Sequence, residues 1–130
     1  MVAAFWGRAD AFQIRLNNGS WQFAIKGSPS WPTITVSAAQ TDAWTHVAMT
    51  RSGSTLTAYI NGQVAGTTTA STAMGNTSDL FLATNSGSGN FLDGSIDEVR
   101  IYSDARSQSE IEADMHTYGP TDSDNLVAYY

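Results

Sequence analysis

The sequence predicts an all-β chain, an antiparallel β-sandwich of jelly-roll type with one short C-terminal helix. Three observations carry that prediction. Apolar residues recur at alternate positions in short runs, the signature of strands with one face buried. Asn, Gly, Ser and Pro punctuate those runs at the spacing of tight turns. Only one stretch has helical spacing. Composition agrees: 42% of the 130 residues are hydrophobic, with four Trp, five Tyr and five Phe, and only 14% are charged. That is enough apolar surface for a core, and too little charge for a helical bundle.

In order along the chain, Phe12, Ile14 and Leu16 alternate with Gln13 and Arg15, and Trp21, Phe23 and Ile25 resume the alternation after Asn17-Asn18-Gly19-Ser20. This reads as a hairpin. Pro29 and Pro32 bracket Trp31, so a loop is expected there, leading to a short strand over residues 33–37. Residues 44–51 and 55–60 read as strands around the turn Ser52-Gly53-Ser54. Asn61-Gly62 then tolerates the positive φ of a type I′ turn, and Gln63-Val64-Ala65 begins a return strand. The Thr/Ser run at 66–78 reads as a surface loop, 79–84 as a strand, 85–90 as a loop and 95–102 as a strand. Ser107 or Ser109 can cap a helix in which Glu110 and Glu112 suit the first turn, while Ile111 and Met115 share a face. The tail "DNLVAYY" is again strand-like.

Charge and composition exclude several functions. The net charge is −6, and residues 93–124 hold nine of the twelve acids against Arg100 and Arg106 alone. Nucleic acid is therefore not an expected partner. No apolar run approaches 18 residues, so no membrane insertion is expected. The opening "MVAAFWGRAD" has neither the basic n-region nor the long apolar h-region of a signal peptide. Without cysteine there are no disulfides and no thiolate metal sites.

Four segments, in this order, carry a family resemblance: "WTHVAMTRSGSTLTAYINGQ", "LFLAT", "FLDGSIDEVRIY" and "ARSQSEIEA". Together they resemble the laminin-G-like, concanavalin A-like jelly rolls of bacterial extracellular proteins. The resemblance implies a cell-surface or extracellular module that binds glycans or a protein surface without catalysis. It also implies that residues 1–130 are a single domain lacking the usual N-terminal strands; the tail at 122–130 is then either the first strand of a following repeat or, the favoured reading, a permuted or exchanged strand. Uncovered edges would then favour a homo-oligomer or a neighbouring repeat as partner. A structural or assembly module is the alternative function, and a glycoside hydrolase-like enzyme ranks third.

The candidate sites are few. Asp97 and Glu98 are adjacent acids in an expected strand, so they point to opposite faces. Glu98 would pair with Arg100 as a solvated or semi-exposed ion pair, and Asp97 would face inward with Val99 and Ile101. An inward Asp97 is either a hydrogen-bonded structural anchor or, as the resemblance implies, a ligand to Ca²⁺. The enzyme reading lacks its machinery. Retaining glucanases need two carboxyl groups about 5–5.5 Å apart, yet Glu98, Glu110 and Glu112 are the only glutamates and none shares a strand with an acid at E-x-D spacing. No catalytic residue is assigned. His46 is expected packed and hydrogen-bonded, and His116 exposed late in the helix. For ligand contact, Trp31 is the best aromatic platform and Trp6 the second, whereas Trp21 and Trp44 are expected in the core.

Overall fold

The computed structural model describes residues 12–25, 31–37, 39–40, 42–70, 80–84, 89–119 and 125–130. Trp6, Pro29 and residues 71–79 and 85–88 lie outside them. Strands β1 (Phe12–Asn17) and β2 (Ser20–Ile25) form the first hairpin, closed by Asn18 and Gly19 at φ of 47° and 73°. These are the two positive angles that a type I′ turn demands. Strand β3 (Thr33–Ser37) pairs along the other edge of β2. A second sheet follows the same logic. Strands β4 (Val47–Ser52), β5 (Thr55–Ile60) and β6 (Gln63–Thr69) form a meander whose second turn is Asn61-Gly62, at φ of 50° and 77°.

Alternation places one face of each sheet inward. Ile14, Trp21, Phe23, Ile25 and Ile34 from the first sheet meet Val47, Leu56 and Ala58 from the second, with Ala70 and Val99 completing the core. Phe23, Ile25 and Leu56 are the largest fully buried side chains, each worth about 1.5–3 kcal/mol of transfer free energy. The sheets approach closely where β6 crosses β3, because Gly66 has no Cβ. A Cβ there would stand 2.7 Å from Ile34 Cγ2.

The third sheet is small. Strand β7 (Arg100–Tyr102) pairs antiparallel with β8 (Leu126–Tyr129), and Val99 and Tyr130 extend the ladder by exchanging backbone bonds of 3.0 Å each way. The tail strand thus pairs within its own chain. Helix α1 (Gln108–Met115) lies between these strands in sequence and starts with a complete capping box. The Ser107 hydroxyl accepts from the Glu110 N–H, and the Glu110 carboxylate accepts from the Ser107 N–H at 2.7 Å. The helix docks on the Asn61-Gly62 turn, where a Cβ on Gly62 would meet Glu112 Cγ at 2.7 Å and Gln63 donates to Glu112 at 2.8 Å.

Four sequence expectations need correction. Strand β4 begins at Val47 rather than residue 44, so the alternation does not reach Trp44, which is 63% exposed instead of in the core. The Thr run is not all loop. Its β-branched residues carry β6 to Thr69, past a register shift at Ala58/Tyr59. Of the strand expected over 79–84, the described residues 80–84 make only a single bridge at Leu82, because Ala83 at φ 61° turns the chain away. The strand expected over 95–102 is confined to Arg100–Tyr102, since Glu98 adopts φ 56°.

Candidate functional site

The left-handed backbone at Glu98 decides which acid does what. Alternation holds from Glu98 through Tyr102, with Val99 buried at 2% exposure and Ile101 packed on the core. One residue earlier it fails. Asp97 is exposed, and its Oδ1 accepts the Glu98 N–H at 2.9 Å. A carboxylate that bonds the next residue's amide is the local device that makes a positive φ tolerable for a non-glycine residue. The expected inward carboxylate is therefore an outward turn-former.

Glu98 and Arg100 do pair, but more deeply than the solvated or semi-exposed pair that the sequence suggests. Their side chains are 19% and 5% exposed, and the Arg100 guanidinium lies 2.7 Å from Glu98 Oε2. Glu98 additionally accepts the Tyr129 hydroxyl at 2.8 Å and the Gly119 N–H at 3.1 Å. Arg100 donates to the carbonyls of Asp114 at 3.2 Å, Thr117 at 2.6 Å and Gly119 at 2.7 Å. Helix α1 has no basic residue in its last turn. Arg100, reaching across from β7, satisfies carbonyls at and beyond the helix end and complements its negative pole. The same residues tie in β8 through Tyr129, whose ring lies 5.6 Å from the guanidinium.

A second cluster sits beside this one. The Tyr102 hydroxyl donates to Asp114 Oδ2 at 2.8 Å, and Arg106 stacks over the Tyr102 ring at 4.5 Å. Arg106 also pairs with Glu110 at 3.0 Å and lies 3.9 Å from Asp114. Burial, reinforced by the bond to Asp114, pushes the Tyr102 hydroxyl above its ordinary pKa. Asp114 is buried at 6% exposure and Arg106 at 9%.

Both clusters border a cavity of about 230 Å³. Its long walls are two consecutive runs that contain edges of different sheets, His46 to Arg51 on and just before β4 and Glu98 to Asp104 on and around β7. Phe12, Ile14, Ile25, Leu56 and Ile111 also line it, so its lining is largely apolar. A concave apolar space bordered by a few placed polar groups is the usual form of a recognition site. Chemically the arrangement suits binding rather than proton transfer. Of the three carboxylates that line it, Glu98 and Asp114 are engaged with Arg100, Tyr129, Tyr102 and Arg106, and Asp104 is exposed at the rim. His46 is held neutral, its pKa pushed down to about 4 chiefly by burial. Its backbone exchanges bonds with Asn61, yet its ring Nδ1 has no hydrogen-bond partner among the described residues, contrary to expectation.

The remaining sequence candidates are scattered. Trp31 is half-buried, with its carbonyl accepting from the Thr33 hydroxyl at 3.0 Å, and is not among the residues that line the cavity. Trp21 is buried at 2% exposure, as expected. His116 caps the helix C-terminus and is exposed. Among the described residues, no three His, Cys, Asp or Glu side chains cluster as a metal site would require. Sequence reasoning missed the cavity. It also missed Arg100 as an anchor, for which one signal exists: an Arg in a strand followed by a helix whose last turn lacks a cation.

A family model of the laminin G type, described as the concanavalin A-like lectin/glucanases superfamily, matches residues 2–112. No curated protein matches the sequence. Among solved structures, the 2.1 Å crystal structure of residues 221–444 of an S-layer domain-containing protein from Clostridium thermocellum is similar. It is 28% identical at a TM-score of 0.44, with 88% of this chain and 69% of that chain covered.

Proposed function

This chain belongs to the concanavalin A-like lectin/glucanases superfamily, and on that premise we propose that it is a non-catalytic recognition module acting at a cell surface or outside the cell. One observation carries the reading. Two of the three carboxylates that border the apolar cavity between β4 and β7, Glu98 and Asp114, are already committed to holding β8 and helix α1 in place. Hydrolysis by the glucanase route needs an acid and a nucleophile facing one space, whereas Glu98 and Asp114 spend their oxygens on internal donors and leave Asp104 as a single carboxylate at the rim. The ligand is a glycan or a polypeptide surface. Trp31 is a secondary aromatic contact in this reading.

Calcium fits poorly here. Ca²⁺ takes six to eight oxygens, while Asp97 is exposed and bonded to its neighbour's amide, with no cluster of three candidate ligands among the described residues. This supports Asp97 as a turn-former. Pairing of β8 with β7 supports one domain over residues 1–130.

The test is an array of glycans and extracellular proteins probed with the wild-type chain, Thr50→Trp and Trp31→Ala, with each retained ligand analysed for cleavage. Retention without cleavage, lost in Thr50→Trp, supports the reading. Cleavage of any retained glycan, or loss only in Trp31→Ala, contradicts it.

A further inference from the structure

We propose that the cavity between β4 and β7 docks an extended peptide strand from another polypeptide, which bridges the two sheets through main-chain hydrogen bonds. This deepens the recognition reading and rests on it.

The hydrogen-bond phase of each wall carries the inference. Ser52 pairs with Thr55 across the two-residue turn Gly53-Ser54, so the bonded positions of β4 fall at Ser52, Thr50 and Ala48. The bond from the Asn61 N–H to the His46 carbonyl, at 2.8 Å, continues the same phase. Val47 and Met49 therefore aim their N–H and C=O groups away from β5. On β7 the phase is fixed by Val99, which exchanges both backbone bonds with Tyr130, and by Ser103, whose N–H donates to Asn125 at 2.9 Å. Arg100 and Tyr102 then aim their backbone groups away from β8. Strands β4 and β7 each have one strand neighbour among the described residues, in the orders β4-β5-β6 and β7-β8. Among the described residues, no backbone hydrogen bond reaches these four outward positions.

Both open edges line one cavity, and its interior is apolar. Such a space asks for donors and acceptors on two sides and alternate apolar side chains between them. An extended peptide supplies both at once. A glycan offers hydroxyls around its ring, without the regular main-chain repeat that the two edges present. The added strand would join β4-β5-β6 to β7-β8 as one six-stranded sheet facing β1-β2-β3. That gives the two-layered sandwich that buries apolar faces. It would also give the two-stranded β7-β8 unit, marginal by itself, a partner on its open side.

The experiment uses the isotope-labelled full chain and four acetylated, amidated octapeptides that alternate Thr with Val, Ile, Leu or Phe. Amide exchange at Val47, Met49, Arg100 and Tyr102 is read with and without each peptide at 1 mM. At least one peptide should slow exchange at these four positions tenfold or more. The same peptide N-methylated at alternate residues should have no effect. Absence of protection with all four peptides overturns the proposal, as does equal protection by the N-methylated form. Protection that appears without peptide and grows with protein concentration also overturns it, because a second copy then fills the space. A chain that retains glycans on the array yet shows no peptide protection refutes strand docking alone and leaves the recognition module standing.

Discussion

The Arg100 guanidinium lies 2.7 Å from the Glu98 carboxylate, with the Arg100 side chain only 5% exposed. This buried contact joins β7 to the end of helix α1 and, through Tyr129, to β8. Removing one partner of such a pair leaves the other buried and uncompensated, which typically costs about 3–5 kcal/mol. Arg100→Met should lower stability by about 3 kcal/mol in urea unfolding, and Arg100→Lys should recover only part of the loss. An Arg100→Met variant within 1 kcal/mol of wild type would show that the network does not hold the helix.

Close packing at Gly66 predicts an unfavourable coupling. Gly66→Ala places a Cβ about 2.7 Å from Ile34 Cγ2, and overpacking of this kind costs roughly 1–3 kcal/mol. In an Ile34→Ala background the obstructing methyl is gone, so Gly66→Ala should cost at least about 1 kcal/mol less. Equal costs in both backgrounds, measured by a double-mutant cycle, would contradict the contact.

Burial of His46 predicts an acid-sensitive stability. Its folded pKa, about 4, lies below the ordinary value of 6.5, so the unfolded chain takes up the proton first. The contribution is present above pH 6.5 and is lost as pH falls through 4. Allowing for solvent screening, this amounts to about 2 kcal/mol. His46→Gln should flatten the stability profile between pH 7 and 4. An unchanged slope would place the acid sensitivity elsewhere.

Helix α1 depends on its cap. Ser107→Ala removes the acceptor for the Glu110 N–H and should destabilise by about 1 kcal/mol. Calorimetry showing no change in Tm would mean that the capping box contributes nothing net.

Asp97 provides the contrasting case. Asp97→Asn keeps an oxygen for the Glu98 N–H, so stability should change by less than about 0.5 kcal/mol. Calcium or EDTA should leave the thermal melt unmoved. A calcium-dependent rise in Tm, abolished by Asp97→Asn, would reinstate the metal reading.

The hairpins were legible because their information is local. Asn18-Gly19 and Asn61-Gly62 declare type I′ turns, and alternation on either side assigns the faces. Strands Thr33–Ser37 and Thr55–Ile60 match their expected limits for that reason. The acids were misread because a single torsion at Glu98 breaks the alternation, and neither Asp nor Glu announces a positive φ. Trp44 was misread because pairing, rather than pattern, decides where a strand starts. The cavity was invisible for a deeper reason. Its walls are about 50 residues apart in sequence, and nothing local encodes which two sheet edges meet.

Recognition through the cavity requires ligand to enter the space between β4 and β7. It is tested most directly by titrating a ligand retained on the array, glycan or protein, against wild type and Thr50→Trp, with calorimetry establishing equal Tm for both. Thr50 is a half-exposed position on β4 that lines the cavity, and strands accept Trp readily. A Thr50→Trp affinity at least tenfold weaker, at unchanged Tm, is the result this account predicts. Equal affinity for the two proteins would contradict it.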